Sequence, residues 1–390
     1  MAMTLPLRNP LPAAAVSTPP VSPVPRLTLG VEEEFLLADR ASRAPTPRAA
    51  GVIASSAPLL GSRVEAEFYT AQVETHTDPE QDLMSLRRQL RRMRHVLAQA
   101  ATAHDCLLVA AGTPVIPPEQ PLTVTPGPRY QAMAVRYASV LGARDQLVNG
   151  CHVHVGVESR AQALAISHRM GPWLATLQAI TANSPYDRGR DRGYAAWRAI
   201  EHARWPTVGP APVLDEAAYE RVATGLVRAG PLLDRRMIYW YARPSEHVPT
   251  LEIRVADTNA DLDTVVLLAA LVRALAATVL TEIADGRPAS FPGYARLYGA
   301  HRLAARDALA GNGLDPRTGE QRPAWALVDD LRRRVEAALD AHGDRVFVDR
   351  TLDRLRRNGD GAARQRRAYA RRGRLTDVVD TLARATECSH

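Results

Sequence analysis

Val31-Glu32-Glu33-Glu34-Phe35 is the stretch on which the reading of this chain turns. It lies in an otherwise apolar run, Leu27 to Leu37, whose alternation predicts a strand of a packed sheet. Side chains two apart share a face of a strand, so Glu32 and Glu34 point the same way, about 7 Å apart along the backbone. Taking two such carboxylates out of water costs on the order of several kcal/mol unless a cation or an arginine answers them. A divalent metal is one answer, and an edge strand with its acids in solvent is the other. Glu33 falls on the opposite face with Val31 and Phe35, where a solvated or locally paired acid is expected.

Later segments repeat the design. Asn149 to Val157 reads Asn-Gly-Cys-His-Val-His-Val-Gly-Val, with Cys151, Val153, Val155 and Val157 on one face and Gly150, His152, His154 and Gly156 on the other. A single strand histidine is ordinarily a hydrogen-bonded core residue, whereas two on one face, beside glycines that leave room, suit metal ligands. In Thr250 to Val255, Leu251, Ile253 and Val255 face one way, Glu252 and Arg254 the other. A guanidinium fixed beside a metal carboxylate is what binding a substrate carboxylate or phosphate requires; neutralising Glu252 is the structural alternative. Between these segments, Glu67 and Glu74 are seven apart: one face of a helix, but opposite faces of an unbroken strand. A turn or bulge must intervene if both serve one site.

The 390 residues allow a sizeable core and one large or two ordinary domains. All 49 basic residues are arginine, against 42 acids. Without lysine there is no Walker A lysine and no Schiff base, and phosphate handling falls to arginine and metal. The arginines after Arg345 interleave with acids and apolar residues as solvated helix faces do, so no nucleic-acid partner is expected. Cys106, Cys151 and Cys388 form no C-x-x-C and suggest no disulfide framework. The most apolar run, Leu262 to Leu280, carries Asp263 and Arg273, so no membrane partner is expected. With no basic start leading into an apolar core, the expected compartment is the cytoplasm.

Residues 1–26, with repeated prolines, read as an extension outside the fold, and 27–390 as a single domain with a helical C-terminal part. A helix is expected to open at Asp78-Pro79, with Leu83, Leu86, Leu90, Met93 and Leu97 on one face. Arg236 to Tyr241 and Thr250 to Val255 are expected to pair as strands. Ser184 to Gly193, continuing through Trp197-Arg198 to Pro210, is polar and glycine-rich, as a substrate loop or a plain surface loop would be.

Taken in order, Gly30-Val-Glu-Glu-Glu-Phe35, Asn149-Gly-Cys-His-Val-His-Val-Gly156, Ser184-Pro-Tyr186, Arg243-Pro-Ser245 and Leu251-Glu-Ile-Arg-Val-Ala-Asp257 resemble the carboxylate-amine ligases of the glutamate-cysteine ligase type 2 family, from about Leu27 to Leu382. The resemblance implies an α+β fold, a glutamine synthetase-like funnel whose curved, mainly antiparallel sheet is backed by helices, with ATP and Mg2+ between strand faces. It implies Glu32, Glu34, Glu67, Glu74, His152 and Glu252 as metal ligands. His152, His154, Arg198 and Arg243 are the implied nucleotide contacts, His154 matching the family least well. Glu252 and Arg254 are the implied catalytic pair, Arg254 meeting the acyl substrate or the transferred phosphate. The implied reaction joins a small carboxylate to an amine through an acyl phosphate, glutamate-cysteine ligase activity being one candidate, and family behaviour suggests a homodimer. Two other readings stay open: a metal-dependent hydrolase using His152 and His154 without nucleotide, and a non-catalytic arginine-rich polyanion binder. His152-Val-His154 with Glu158 also echoes the cupin metal motif, but lacks its flanking glycines in a chain too helical for a small β-barrel.

Overall fold

The alternating run around Glu33 forms an 11-residue strand, β1 (Leu29–Asp39), in a computed structural model that describes residues 23–142 and 146–387. The extension expected over 1–26 lies, but for its last four residues, outside the described residues. Six more strands complete the main sheet: β2 (Val64–Ala66), β3 (Gln72–His76), β4 (Cys106–Val109), β5 (Gly150–Gly156), β6 (Ala242–Pro244) and β7 (Thr250–Asp257). Their order is β2-β3-β1-β5-β7-β6, with β4 on the far end of β1, and every pairing is antiparallel.

One face of this sheet is apolar and helix-covered. Leu29 and Val31 of β1, Cys151, Val153 and Val155 of β5, and Leu251, Ile253 and Val255 of β7 share a core with three helices. After α1 (Ala49–Leu60), these are α2 (Leu83–Ala103), α3 (Arg160–Ile180) and α4 (Leu262–Ala284). By length and composition α4 is apolar enough to cross a membrane, but 83% of its most apolar window is buried inside the fold. Its Arg273 is held at 2.5 Å by Asp344. α4 is thus a core helix, clad by the C-terminal helices that carry Leu331, Leu339 and Leu352.

Glu33 points into the helical side, and it is neither solvated nor locally paired. Arg94 of α2, 61 residues on, donates to both its carboxylate oxygens at 2.5 and 3.0 Å and spends its other donors on the carbonyls of Asn259 and Ala260.

Two sequence expectations are displaced. α2 opens at Leu83, capped by the Asp82 carboxylate accepting from Ser85 N. Asp78-Pro79 precedes it because the chain first runs antiparallel to β1, Leu29 and Glu80 exchanging backbone hydrogen bonds at 2.7 and 2.8 Å. Arg236 to Tyr241 is not a strand. It holds a short 3-10 turn (Arg235–Met237), and its Met237, Ile238 and Trp240 are buried by wrapping onto the core rather than by sheet pairing. The partner of β7 begins at Ala242. Between β2 and β3, residues 67–71 make the turn that Glu67 and Glu74 need in order to serve one place.

Candidate active site

Antiparallel register sets the polar side chains of the open face in three rows. Glu65, Glu74 and Glu34 align across β2, β3 and β1; His76, Glu32 and His152 across β3, β1 and β5; His154, Glu252 and Arg243 across β5, β7 and β6. Directly opposed residues hold their Cβ atoms roughly 4.5 to 5.5 Å apart, so each row is a line of interacting heads. The rows and Glu67 line a cavity of about 380 Å3, closed by Arg129, Tyr130, Tyr239 and Arg254. Asn149 and Gln72 fix the frame at one end: Gln72 donates to Asn149 Oδ1 at 2.8 Å, and Asn149 to the Ala111 carbonyl at 3.0 Å.

Glu32 lies between the two imidazoles, 3.1 Å from His152 Nδ1 and 3.1 Å from His154 Nε2. Burial alone pushes its carboxyl up, but the histidine hydrogen bonds outweigh burial and hold it well below the usual carboxylate range. Glu252 is fully buried and clamped by two guanidinium groups: Arg243 Nε at 2.8 Å and Arg254 on its other oxygen. Burial again opposes ionisation, and the two arginines, with the histidines, override it and keep Glu252 charged. Arg254 also stacks over the Tyr239 ring at 5.5 Å. Burial and then Arg254 hold His152 below the usual histidine range, so it is the neutral form that sits among the acids.

The other end of the cavity is short of positive charge. Seven glutamates line it against four arginines. Arg243 and Arg254 are committed to Glu252, and Arg129 to Asp234 at 2.7 Å. Among the described residues no arginine lies within ion-pair distance of Glu34, Glu67 or Glu74. Burial first, then the neighbouring carboxylates, pushes Glu67 up to about 7 and Glu74 well above its ordinary value.

That arrangement fits a hard divalent cation. Ligand atoms of Glu32, His152 and Glu252, and of Glu34, Glu74 and His152, each lie within 4.8 Å of one another. His152 Nε2 is buried without a hydrogen-bond partner, as a ligand nitrogen awaiting a metal would be. Oxygen-rich donor sets with charge to spare suit magnesium-like ions. His154 and Glu67 belong to neither set: His154 Nδ1 bonds the Thr250 hydroxyl at 2.8 Å, and Glu67 lines the cavity beside them, accepting from the Tyr130 hydroxyl at 3.4 Å.

The sequence-derived residues therefore gather in one cavity, with one exception. Arg198 is buried next to it and does not line it. A methyl group on Gly150 would sit 2.3 Å from an Arg198 terminal nitrogen and 2.9 Å from His152 Nε2, so only glycine leaves room for this guanidinium beside the histidine. Sequence reasoning missed Glu65, His76, Arg129, Tyr130 and Tyr239 as cavity residues. Glu65 repeats with Glu67 the spacing of Glu32 and Glu34, and His76 stands two from Glu74; both signals were present in the sequence.

The family model for glutamate-cysteine ligase family 2 matches residues 28–381. The chain belongs to that family. Among its relatives, a protein of Salinispora arenicola provisionally named glutamate-cysteine ligase 2 is 46% identical over 363 residues, covering 92% of this chain and 95% of that one. A similarly named Nocardia farcinica protein is 42% identical, covering 92% and 93%. Of solved structures, the Francisella tularensis glutamate-cysteine ligase in complex with AMP aligns with a TM-score of 0.68 at 12% identity, over 94% of this chain and 89% of that one. A bifunctional glutathione synthetase from Pasteurella multocida aligns at 0.69 and 14% identity, over 93% and 52%. At such identities the likeness establishes a common fold: helices on an antiparallel sheet, as in these ligases. No comparison favours a hydrolase.

Proposed function

We propose that this family member is an ATP-dependent carboxylate-amine ligase that forms an amide through an acyl phosphate, with glutamate and cysteine, named in its relatives, as the first substrates to test. The observation that supports this best is the meeting, in one cavity, of an undercompensated carboxylate cluster with two arginines clamped on Glu252. Amide formation in water needs an activated acyl group, and phosphoryl transfer to a carboxylate is catalysed almost wholly by positioning and positive charge. Glu32, Glu34, Glu67, Glu74, His152 and Glu252 would hold magnesium, which when bound would supply the positive charge that phosphate oxygens require.

The protein's own groups do the positioning. His152 and His154 fix Glu32 in its ionised form, and Arg243 holds Glu252 while its other nitrogen is tied at 2.6 Å to the carbonyls of Arg236 and Ile238. Arg254, braced by Glu252 and Tyr239, orients the acyl carboxylate and balances the phosphoryl charge. Its Nε, buried without a partner, is a spare donor for that task. Arg243 and His154 would contact the nucleotide, and Arg198 stands beside His152. The same reading takes residues 27–390 as one ligase domain, its sheet curved into a funnel around the cavity.

The test is incubation of the full chain with ATP, Mg2+ and a panel of amino acids and amines, with ADP and new amides read by mass. ADP and amide should appear together. Glu32→Gln and Glu252→Gln should each lower ADP formation by about a thousandfold, the scale of losing a charge group that acts only in the transition state, with unchanged circular dichroism. Full activity in either variant removes that residue from the proposal, and nucleotide-free hydrolysis of any panel member would revive the hydrolase reading.

A further inference from the structure

Behind the sheet, on its helical side, where the first turn of α4 meets α2 and the last helices, a second cavity of about 340 Å3 shares no residue with the acidic one. Five arginines line it: Arg87, Arg91, Arg354, Arg364 and Arg384. Two are answered by carboxylates, Arg87 by Asp263 at 2.7 Å and Arg354 by Asp261 at 2.8 Å. The other three have no carboxylate to themselves. Arg364 bonds neutral oxygens, Gly359 O at 3.0 Å and Asn259 Oδ1 at 3.2 Å, with Asp261 4.0 Å away. Arg384 hydrogen-bonds only to the Thr381 hydroxyl, at 3.5 Å, and Arg91 makes no hydrogen bond or ion pair among the described residues. Five guanidinium groups against two acids leave three positive charges over one concavity.

The lining also says what is absent from recognition. Among the described residues no aromatic ring lines it for a base to stack on, and the apolar floor is Leu262, Leu355 and Ala385. Guanidinium forks match phosphate and carboxylate oxygens, two at a time, and the volume is at the small end of ligand pockets. We propose that this cavity binds a compact polyanion, one whose phosphate or carboxylate groups carry about three negative charges in all. The occupant would sit close to the brace of β1: Arg364 bonds Asn259, whose carbonyl takes a hydrogen bond at 2.7 Å from Arg94, the partner of Glu33.

The proposal stands apart from the ligase reading, and so does its test. The full chain is titrated by calorimetry with inorganic diphosphate and, separately, with citrate, in EDTA and low salt. Without a divalent ion the acidic cavity repels both probes. One saturable site for either probe is expected, diphosphate alone marking a phosphate ligand and both marking any compact polyanion. Arg91→Glu/Arg384→Glu, a change at two exposed positions, should weaken it at least tenfold and flatten its salt dependence. Arg236→Glu, at the rim of the acidic cavity, should leave it unchanged. Absence of saturable binding by both probes overturns the proposal, as does equal affinity in the double variant or loss of binding in Arg236→Glu.

Discussion

Glu33 and its neighbours Glu32 and Glu34 are consecutive residues of one strand, and the molecule treats its two faces in opposite ways. On the helical face Glu33 and Arg94, 1% and 0% exposed, satisfy one another completely. On the open face Glu34 and Glu74, with Glu67 lining the same cavity, stand without an arginine of their own. The same side chain is thus a structural element where its charge is balanced from within, and a binding element where the balance must come from outside. A fold that can place a buried arginine 61 residues away for one carboxylate has the means to neutralise the others, so their shortage of partners marks a function.

The largest effect should come from breaking the balanced face. Arg94→Leu leaves Glu33 buried and unpaired, and should cost about 3 to 5 kcal/mol of unfolding free energy. Removing both charges, as Glu33→Leu/Arg94→Leu, should recover most of that loss, because the desolvation of both ions disappears with their attraction. Denaturant titration of the three proteins checks this. A single variant within about 1 kcal/mol of wild type would mean that the pair is no brace.

On the open face the sign reverses, and pH exposes it. The folded state holds the Glu67 proton up to about pH 7, whereas the unfolded chain releases it near 4.5. The unfolded state is therefore favoured by ionisation across that window, and this group withdraws stability as pH rises from 4.5 to 7, with no further change above. Glu67→Gln removes the effect, so metal-free variant and wild type should match at pH 4.5 and diverge to on the order of 2 kcal/mol in the variant's favour at pH 8. Taking the difference cancels the histidines and Glu252, which titrate in both proteins, while Glu74, raised in part by Glu67, ionises more easily in the variant and widens the gap in the same direction. Adding Mg2+ should close the gap, since a cation stabilises only the wild-type carboxylate. A variant less stable than wild type at pH 8 in EDTA would show that Glu67 is already compensated.

How far these two faces could be seen beforehand follows from the range of the physics involved. Period-two alternation is local, so β1, β5 and β7 and the shared face of Glu32, Glu34, His152, His154, Glu252 and Arg254 were legible in the sequence. Cross-strand register is not local, and the three rows that join those residues exist only once β1 pairs with β3 and β5. The pairing of Glu33 with Arg94 depends on how α2 lies on the sheet, which no spacing reveals. Asp78-Pro79 and Asp82 are both competent helix starts, and the bridge from Glu80 to Leu29 decides between them. Arg236 to Tyr241 has strand composition, but its aromatic residues are consumed by packing, Trp240 against Tyr219 at 5.9 Å. Arg198 depends on a contact of the same non-local kind: its motif marks the neighbourhood of the site, while only the missing side chain at Gly150 admits its guanidinium beside the histidine.

The smallest effect distinguishes the two histidines, which alternation makes equivalent. His152 belongs to both candidate ligand sets, whereas His154 belongs to neither and acts on Glu32 from the side, with its other nitrogen on Thr250. Burial depresses His154, and Glu32 and Glu252 outweigh burial and raise it, so its position beside Glu32 favours the protonated form that supports that carboxylate. His154→Gln keeps a hydrogen-bond donor toward Glu32 and should reduce ADP formation by only about tenfold, the scale expected for a residue that orients a ligand. His152→Gln removes a ligand outright and should cost far more, with a matching rise in the Mg2+ concentration needed for half-maximal rate. Equal losses in the two variants would mean that both imidazoles bind the cation, and the boundary between supporting and ligating groups would then have to move two residues along β5, to His154.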